Sequence, residues 1–271
     1  VLELSSFQLE GLEAIQKSPP VSAITNLMPD HLNRYPSLAA YYEAKELVFR
    51  YAGAPGVVAL NRDDPASVAL AEKAPGRVAW FGREDVTPGA DLGRLRGEHN
   101  RMNIAAAATV ARELGVDPGV IARAVAGFPG VPYRQELIRE RDGVQFVNDS
   151  AATTPEAVLA ALAAADRPVV LIAGGADKSL DFTALGEAVN APTSPVKAIV
   201  LLEGGATDKV AAAVGVKGAG RYGDFGAAIR RATDLATAGD MVLLSPGCAS
   251  FGLFRNEFDR GDQFNAIVRS L

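Results

Sequence analysis

Lysine is costly to bury, so an amphipathic helix normally turns it to the wet face. Lys45 breaks that habit. It follows Leu38 by seven residues and Tyr41 by four, on the apolar stripe Leu38, Tyr41/Tyr42, Val48/Phe49 of a helix that Ser37 can cap. One reading is snorkelling, with the stem packed and the ammonium in water. The other is an amine whose pKa is lowered by partial burial. A neutral amine adds carbon dioxide and releases a proton, giving a carbamate whose oxygens suit magnesium. Glu3 stands between Leu2 and Leu4, where a carboxylate needs a partner or a metal. His31 follows Asp30 just after the apolar run ending at Asn26; alone it reads as a surface or packing histidine. Together, Glu3, His31 and Lys45 would offer mixed oxygen and nitrogen ligands to a divalent ion.

Further segments carry polar groups of other kinds. Gly97-Glu98-His99-Asn100-Arg101-Met102-Asn103 leads into an Ala-rich helix with Asn100 and Asn103 on one face. Carboxamides match the edge of an adenine, and Asn100 serves equally as a plain helix cap. Arg134, in Pro132-Tyr133-Arg134, is a cation at a domain junction, where it either reaches a phosphate or is simply solvated. Asp149 and Ser150 end an apolar strand immediately before a helix capped by Thr154, the edge at which open α/β sheets bind ligands. Lys178 follows two glycines at another strand end; the spacing fits neither GxxxxGK[ST] nor GxGxxG. A third strand delivers Ser245-Pro246-Gly247-Cys248-Ala249-Ser250, with Cys248 read as packing rather than nucleophile.

The elements that must hold these groups alternate between short apolar runs and Ala-rich helical patterns, which implies α/β architecture with a largely parallel sheet. Strands are expected at 21–26, 57–61, 78–82, 144–148, 169–173, 198–202 and 241–245. Helices are expected at 38–51, 103–114, 118–127, 155–165, 182–189, 208–214, 226–236 and 258–271. The opening Val1-Leu2-Glu3-Leu4 reads as the middle of a buried strand and suggests a truncated chain. Phe128-Pro129-Gly130-Val131-Pro132 marks a domain junction, giving domains at 1–131 and 132–271.

Of the 271 residues 48% are hydrophobic and 22% charged, enough apolar content for one large domain or two ordinary ones. The formal net charge of -5 gives no general basic field for nucleic acid. No apolar run is long enough to span a bilayer, and the single cysteine suits a reducing cytoplasm.

Several long motifs, in this order, resemble the Mur ligase family. They are Leu2-Glu3-Leu4-Ser5-Ser6-Phe7-Gln8-Leu9-Glu10, Asp30-His31-Leu32-Asn33-Arg34-Tyr35-Pro36, Gly97-Glu98-His99-Asn100 with Asn103, Asn148-Asp149-Ser150 with Ala152-Thr153, and Leu244 through Ser250. They look most like the branch that adds D-glutamate. The resemblance implies two lobes, a truncated central ATPase domain followed by a Rossmann-like C-terminal domain that binds the amino acid. It implies ATP and magnesium as cofactors, and D-glutamate and UDP-N-acetylmuramoyl-L-alanine as substrates. It further implies a cytoplasmic monomer in peptidoglycan synthesis that neither binds nucleic acid nor enters membranes. Glu3, His31 and a carbamylated Lys45 are the implied metal ligands. Asn100 and Asn103 resemble an adenine-contacting pair, Arg134 a phosphate contact and Asp149 a ribose contact. Thr153, Lys178 and Ser250 resemble the residues that hold D-glutamate.

Two positions depart from the pattern. Ala151 stands where the family commonly has lysine, and Glu257 where an aromatic residue is often found, with Phe258 next. No phosphate loop of the GxxxxGK[ST] kind occurs in the chain, so the chain alone is expected to be inactive. Folylpolyglutamate synthase is the enzymatic alternative, against which the Leu-Glu-Leu-Ser-Ser-Phe-Gln run argues. A dehydrogenase lacks its GxGxxG here, and a non-catalytic nucleotide-binding module would not need Glu3, His31 and Lys45 together.

Overall fold

The computed structural model describes residues 1–28, 34–86, 95 and 97–271, with the backbone only at residue 216. It divides into two compact units, Val1–Phe128 and Pro129–Leu271. The division falls inside the Pro/Gly cluster, three residues before the junction read from the sequence.

The first unit runs α1 (Ser6–Ile15), β1 (Val21–Ile24), α2 (Leu38–Glu46), β2 (Val57–Asn61), α3 (Pro65–Leu70), β3 (Arg77–Phe81), α4 (Glu98–Glu113) and α5 (Pro118–Ala126). Its three strands are parallel in the order β1-β2-β3. β2 is buried on both faces, as a central parallel strand must be. Val58 and Leu60 pack with Ile24, Phe49 and Leu70, whereas Ala59 packs with Phe81, Ile104 and Ala105 on the other side.

Residues 1–5 form no strand, and Val1, Leu2 and Glu3 are exposed. The apolar alternation misled because a helix start competes with it. Ser5 caps α1, with Gln8 reaching back to the Ser5 amide, the reciprocal pair that S-x-x-Q encodes. α2 stops at Glu46, short of the expected residue 51. α4 starts at Glu98 behind Gly97, so Asn100 lies inside the helix rather than at its cap.

The second unit runs β4 (Glu136–Arg141), β5 (Val144–Asn148), α6 (Pro155–Ala163), β6 (Val169–Gly174), α7 (Thr183–Asn190), β7 (Val196–Leu202), α8 (Thr207–Val214), β8 (Gly218–Tyr222), α9 (Phe225–Leu235), β9 (Met241–Leu244) and α10 (Glu257–Ser270). The strand order is β4-β5-β9-β6-β7-β8, parallel except for the β4–β5 hairpin. Alternate residues of β6 face opposite layers. Val169, Leu171 and Ala173 join α6, α7 and α8, and Val170 and Ile172 join α9 and α10. Burying each large aliphatic side chain contributes roughly 1.5–3 kcal/mol.

β4 and β8 are edge strands absent from the sequence reading. Glu136, Arg139, Glu140 and Arg141 leave β4 little apolar alternation, and β8 is short and Gly-rich. The chain runs from β5 past β9's place to β6, β7 and β8, then returns to insert β9 between β5 and β6. Such a switch in winding direction opens a crevice at the carboxyl ends of β5, β9 and β6.

Candidate functional site

In the first unit an open cleft of about 410 Å³ is lined by Glu3, Leu4, Ser5, Ser6, Gln8, Tyr41 and Lys45. Lys45 is half-buried in the last turn of α2, its Nζ 5.5 Å from the centroid of the Tyr41 ring. Tyr41 is itself buried, packed against Tyr35 at 5.3 Å and Tyr42 at 5.9 Å. Glu3 therefore shares a cleft with Lys45, although it is an exposed loop residue rather than a buried strand residue. The neighbouring carboxylate, Glu46, is engaged elsewhere, accepting from Arg50 and Lys73. His31 lies outside the described residues. Among the described residues no three His, Cys, Asp or Glu side chains cluster as a metal site.

Asn103 donates to Asn100 Oδ1 at 3.4 Å near the start of α4, so the two carboxamides stand side by side. Burial holds the His99 imidazole below its ordinary pKa.

In the second unit the crevice is walled by three loops, each leaving the carboxyl end of a strand. Main-chain hydrogen bonds lace them together. Gly174 N–H donates to Pro246 O, Ala176 N–H to Ala249 O, and Gly247 N–H to Ala152 O. Gly175 permits the closest approach, since a Cβ there would stand 2.4 Å from Ala249 O, and its φ is +141°. Lys178 Nζ donates to Thr153 Oγ1 at 3.2 Å, so two of the three expected amino-acid contacts touch across neighbouring loops. Ser250 sits in the third loop, nearly fully buried. Asp177 is held low in pKa chiefly by a hydrogen bond from Lys209 at 2.6 Å, which anchors the Lys178 loop to α8.

Asp149 is 6% exposed, at the end of β5. Its Oδ2 accepts from the Ser245 hydroxyl at 2.7 Å and its Oδ1 from the Gln135 amide at 3.1 Å. Burial outweighs these bonds and the nearby Arg134 charge, pushing the carboxyl up to about 6. Arg134 is exposed. Cys248 is buried, its thiol pushed up to about 11, so it is unionised at neutral pH and packs rather than attacks.

Arg260 was missed in the sequence. Its side chain is fully buried, donating from Nε to Ser150 Oγ at 2.9 Å, from Nη2 to Ser150 O at 2.8 Å and from Nη1 to Cys248 O at 3.3 Å. Burial pushes it down to about 10. The Ser150 hydroxyl in turn donates to Glu257 O at 2.7 Å. A signal was present: Arg260, Phe264 and Val268 follow one another at helical spacing on the apolar face of α10, the argument already applied to Lys45.

A doubly wound unit with its polar residues at the winding switch, following in sequence a smaller parallel α/β unit, defines the class. Residues 1–93 match the Mur ligase middle domain and residues 133–248 the Mur ligase, glutamate ligase domain, and the chain belongs to the Mur ligase family. It is 46% identical over 305 residues to a protein of Roseiflexus sp. named UDP-N-acetylmuramoylalanine--D-glutamate ligase, covering 100% of this chain and 65% of that protein. A protein of the same name from Myxococcus xanthus is 40% identical, with 100% of this chain and 64% of the relative covered. The chain thus spans somewhat under two thirds of these relatives. Among solved structures, the fold resembles that of a MurF ligase from Thermotoga maritima in complex with ADP. There the TM-score is 0.72 at 19% identity, over 97% of this chain and 65% of that one. A MurF from Acinetobacter baumannii gives 0.71 at 18% identity, over 94% of this chain and 61% of that one. No described helix is long and apolar enough to cross a membrane.

Proposed function

We propose that this chain supplies the metal-binding and amino-acid-binding parts of a cytoplasmic, ATP-dependent ligase that joins D-glutamate to UDP-N-acetylmuramoyl-L-alanine. The observation that carries the reading is the Lys178–Thr153 contact in the laced crevice, in a chain that aligns along its whole length with relatives named for that reaction. In the reaction, the substrate carboxylate takes the terminal phosphoryl group of ATP, giving an acyl phosphate and ADP. The amine of D-glutamate attacks the carbonyl carbon and gives up a proton; the C–O bond breaks and inorganic phosphate leaves.

In this scheme Lys178, Thr153 and Ser250 hold the D-glutamate carboxylates and orient its amine. Asn100 and Asn103 present donor and acceptor groups to adenine, Arg134 meets phosphate oxygens, and Asp149 faces the ribose. Glu3 and Lys45 fit a magnesium site in kind: they line one cleft, and a carboxylate is a hard oxygen donor. Carbamylation would give Lys45 the same character, and His31 would complete the set. When bound, magnesium would neutralise charge on phosphate oxygens. The 271 residues alone would not turn over, because they carry no phosphate loop of the GxxxxGK[ST] kind.

Calorimetry on the chain tests the reading. D-glutamate should bind and L-glutamate should not, and Lys178→Ala should weaken D-glutamate at least about tenfold, equivalent to ~1.4 kcal/mol. Equal affinity for both enantiomers, or tighter binding of NAD than of ADP, would overturn it, as would D-glutamate-dependent ATP hydrolysis by the isolated chain.

A further inference from the structure

Arg134 sits in a turn whose backbone is held under strain. Both flanking residues, Tyr133 (φ 62°) and Gln135 (φ 47°), occupy the left-handed region although neither is glycine. Such a residue is strained and persists only where its surroundings over-determine it.

The surroundings here centre on Tyr133. Its ring lies against Gly261 of α10, where a Cβ would stand 2.2 Å from Tyr133 Cδ1. The ring also meets Phe258, with centroids 5.7 Å apart. Its hydroxyl donates to Asp262 Oδ1 at 2.7 Å. Its amide donates to Glu136 Oε2 at 3.0 Å, and its carbonyl accepts from Ala151 N–H at 3.0 Å. On the far side of Arg134, the Gln135 amide donates to Asp149 Oδ1 at 3.1 Å. Thus Arg134 itself is exposed while both of its neighbours are tied to α10 and to the loop after β5.

We propose that Tyr133 is a positioning residue: its ring, seated in the slot left by Gly261, latches the Arg134 turn to α10, while its carbonyl ties that turn to the loop that carries Asp149 and Thr153. The role assigned to the latch rests on the proposed function, in which Arg134 meets phosphate oxygens. The latch also explains why position 261 carries glycine inside a helix, where alanine is the more favourable residue. It also gives a role to Phe258, one residue after Glu257, which packs against the Tyr133 ring.

Two measurements on the 271-residue chain test this. The first is hydrogen exchange of the peptide containing residues 131–137, which does not depend on any ligand. Releasing the strain of these left-handed residues amounts to about tenfold or more in local opening. Tyr133→Ala and Gly261→Ala should therefore both speed exchange of this peptide at least about tenfold while the β6 peptide is unchanged. Tyr133→Phe, which keeps the ring, should change it less than about threefold. The second is calorimetry with ADP as the probe. Arg134→Ala and Tyr133→Ala should each weaken ADP about tenfold, and the double variant should be no weaker than Arg134→Ala alone. Unchanged exchange in Tyr133→Ala, or losses that multiply in the double variant, would overturn the latch. If Arg134→Ala leaves ADP binding intact while Tyr133→Ala still loosens the turn, the latch stands and the phosphate role of Arg134 falls.

Discussion

Replacing Asp149 by asparagine changes one atom and removes one buried charge. Asparagine Oδ1 can still accept from the Gln135 amide, and its Nδ2 can donate to the Ser245 hydroxyl, which is able to accept. What disappears is titration. Folding raises the Asp149 carboxyl from 3.8 to about 6, so between those values the folded state binds more protons than the unfolded state. The stabilisation is fully present below pH 3.8 and is lost as the pH rises through 6. A shift of that size corresponds to about 3 kcal/mol at ~1.36 kcal/mol per pH unit. Relative to the parent, Asp149→Asn should therefore gain about 3 kcal/mol between about pH 3 and pH 8. The difference between the two proteins cancels every other titrating group. Urea unfolding followed by circular dichroism, with hydrogen exchange of the β5 and β9 peptides, measures it. A difference that stays flat across this range, or moves in favour of the parent as the pH rises, would refute the assignment of a destabilising buried charge.

Two further outcomes are expected. Arg260→Met keeps the bulk of the stem but strands the carbonyls of Ser150 and Cys248, and should cost about 2–5 kcal/mol in urea unfolding and weaken D-glutamate binding; a loss under 1 kcal/mol would show that the guanidinium is dispensable. Lys45→Arg should abolish a carbamate signal seen by NMR when the chain is equilibrated with ¹³C-bicarbonate, because arginine stays protonated; absence of that signal in the parent would remove the modified-lysine ligand from the scheme.

Much of the fold was legible because parallel strands buried on both faces are written as unbroken apolar runs. β2 and β5 fall at the residues expected, and β6 and β9 within one residue of them. The edge strands were illegible for the opposite reason, since solvent on one side admits charge and glycine. The hairpin between β4 and β5 did leave a trace in Asp142-Gly143, both at positive φ, the pair a tight hairpin turn favours. Thr153 and Lys178, 25 residues apart, were nominated by resemblance alone; only the strand order brings them into contact. Arg260 was marked by its helical spacing with Phe264 and Val268, but the carbonyls that satisfy it, at Ser150 and Cys248, could not be read from the sequence. The strand proposed for residues 1–4 failed where a capping pair outweighed a two-residue alternation.

The bonds that lace the three crevice loops run between main-chain atoms at Gly174 and Pro246, Ala176 and Ala249, and Gly247 and Ala152. Peptide groups are common to every residue, so outside glycines such as Gly175 this frame does not depend on which side chains it displays. On the proposed reading, substitutions at Thr153, Lys178 or Ser250 would recast what the crevice prefers while leaving its shape standing. A scaffold of this sort separates architecture from taste, and lets selection tune the second without renegotiating the first.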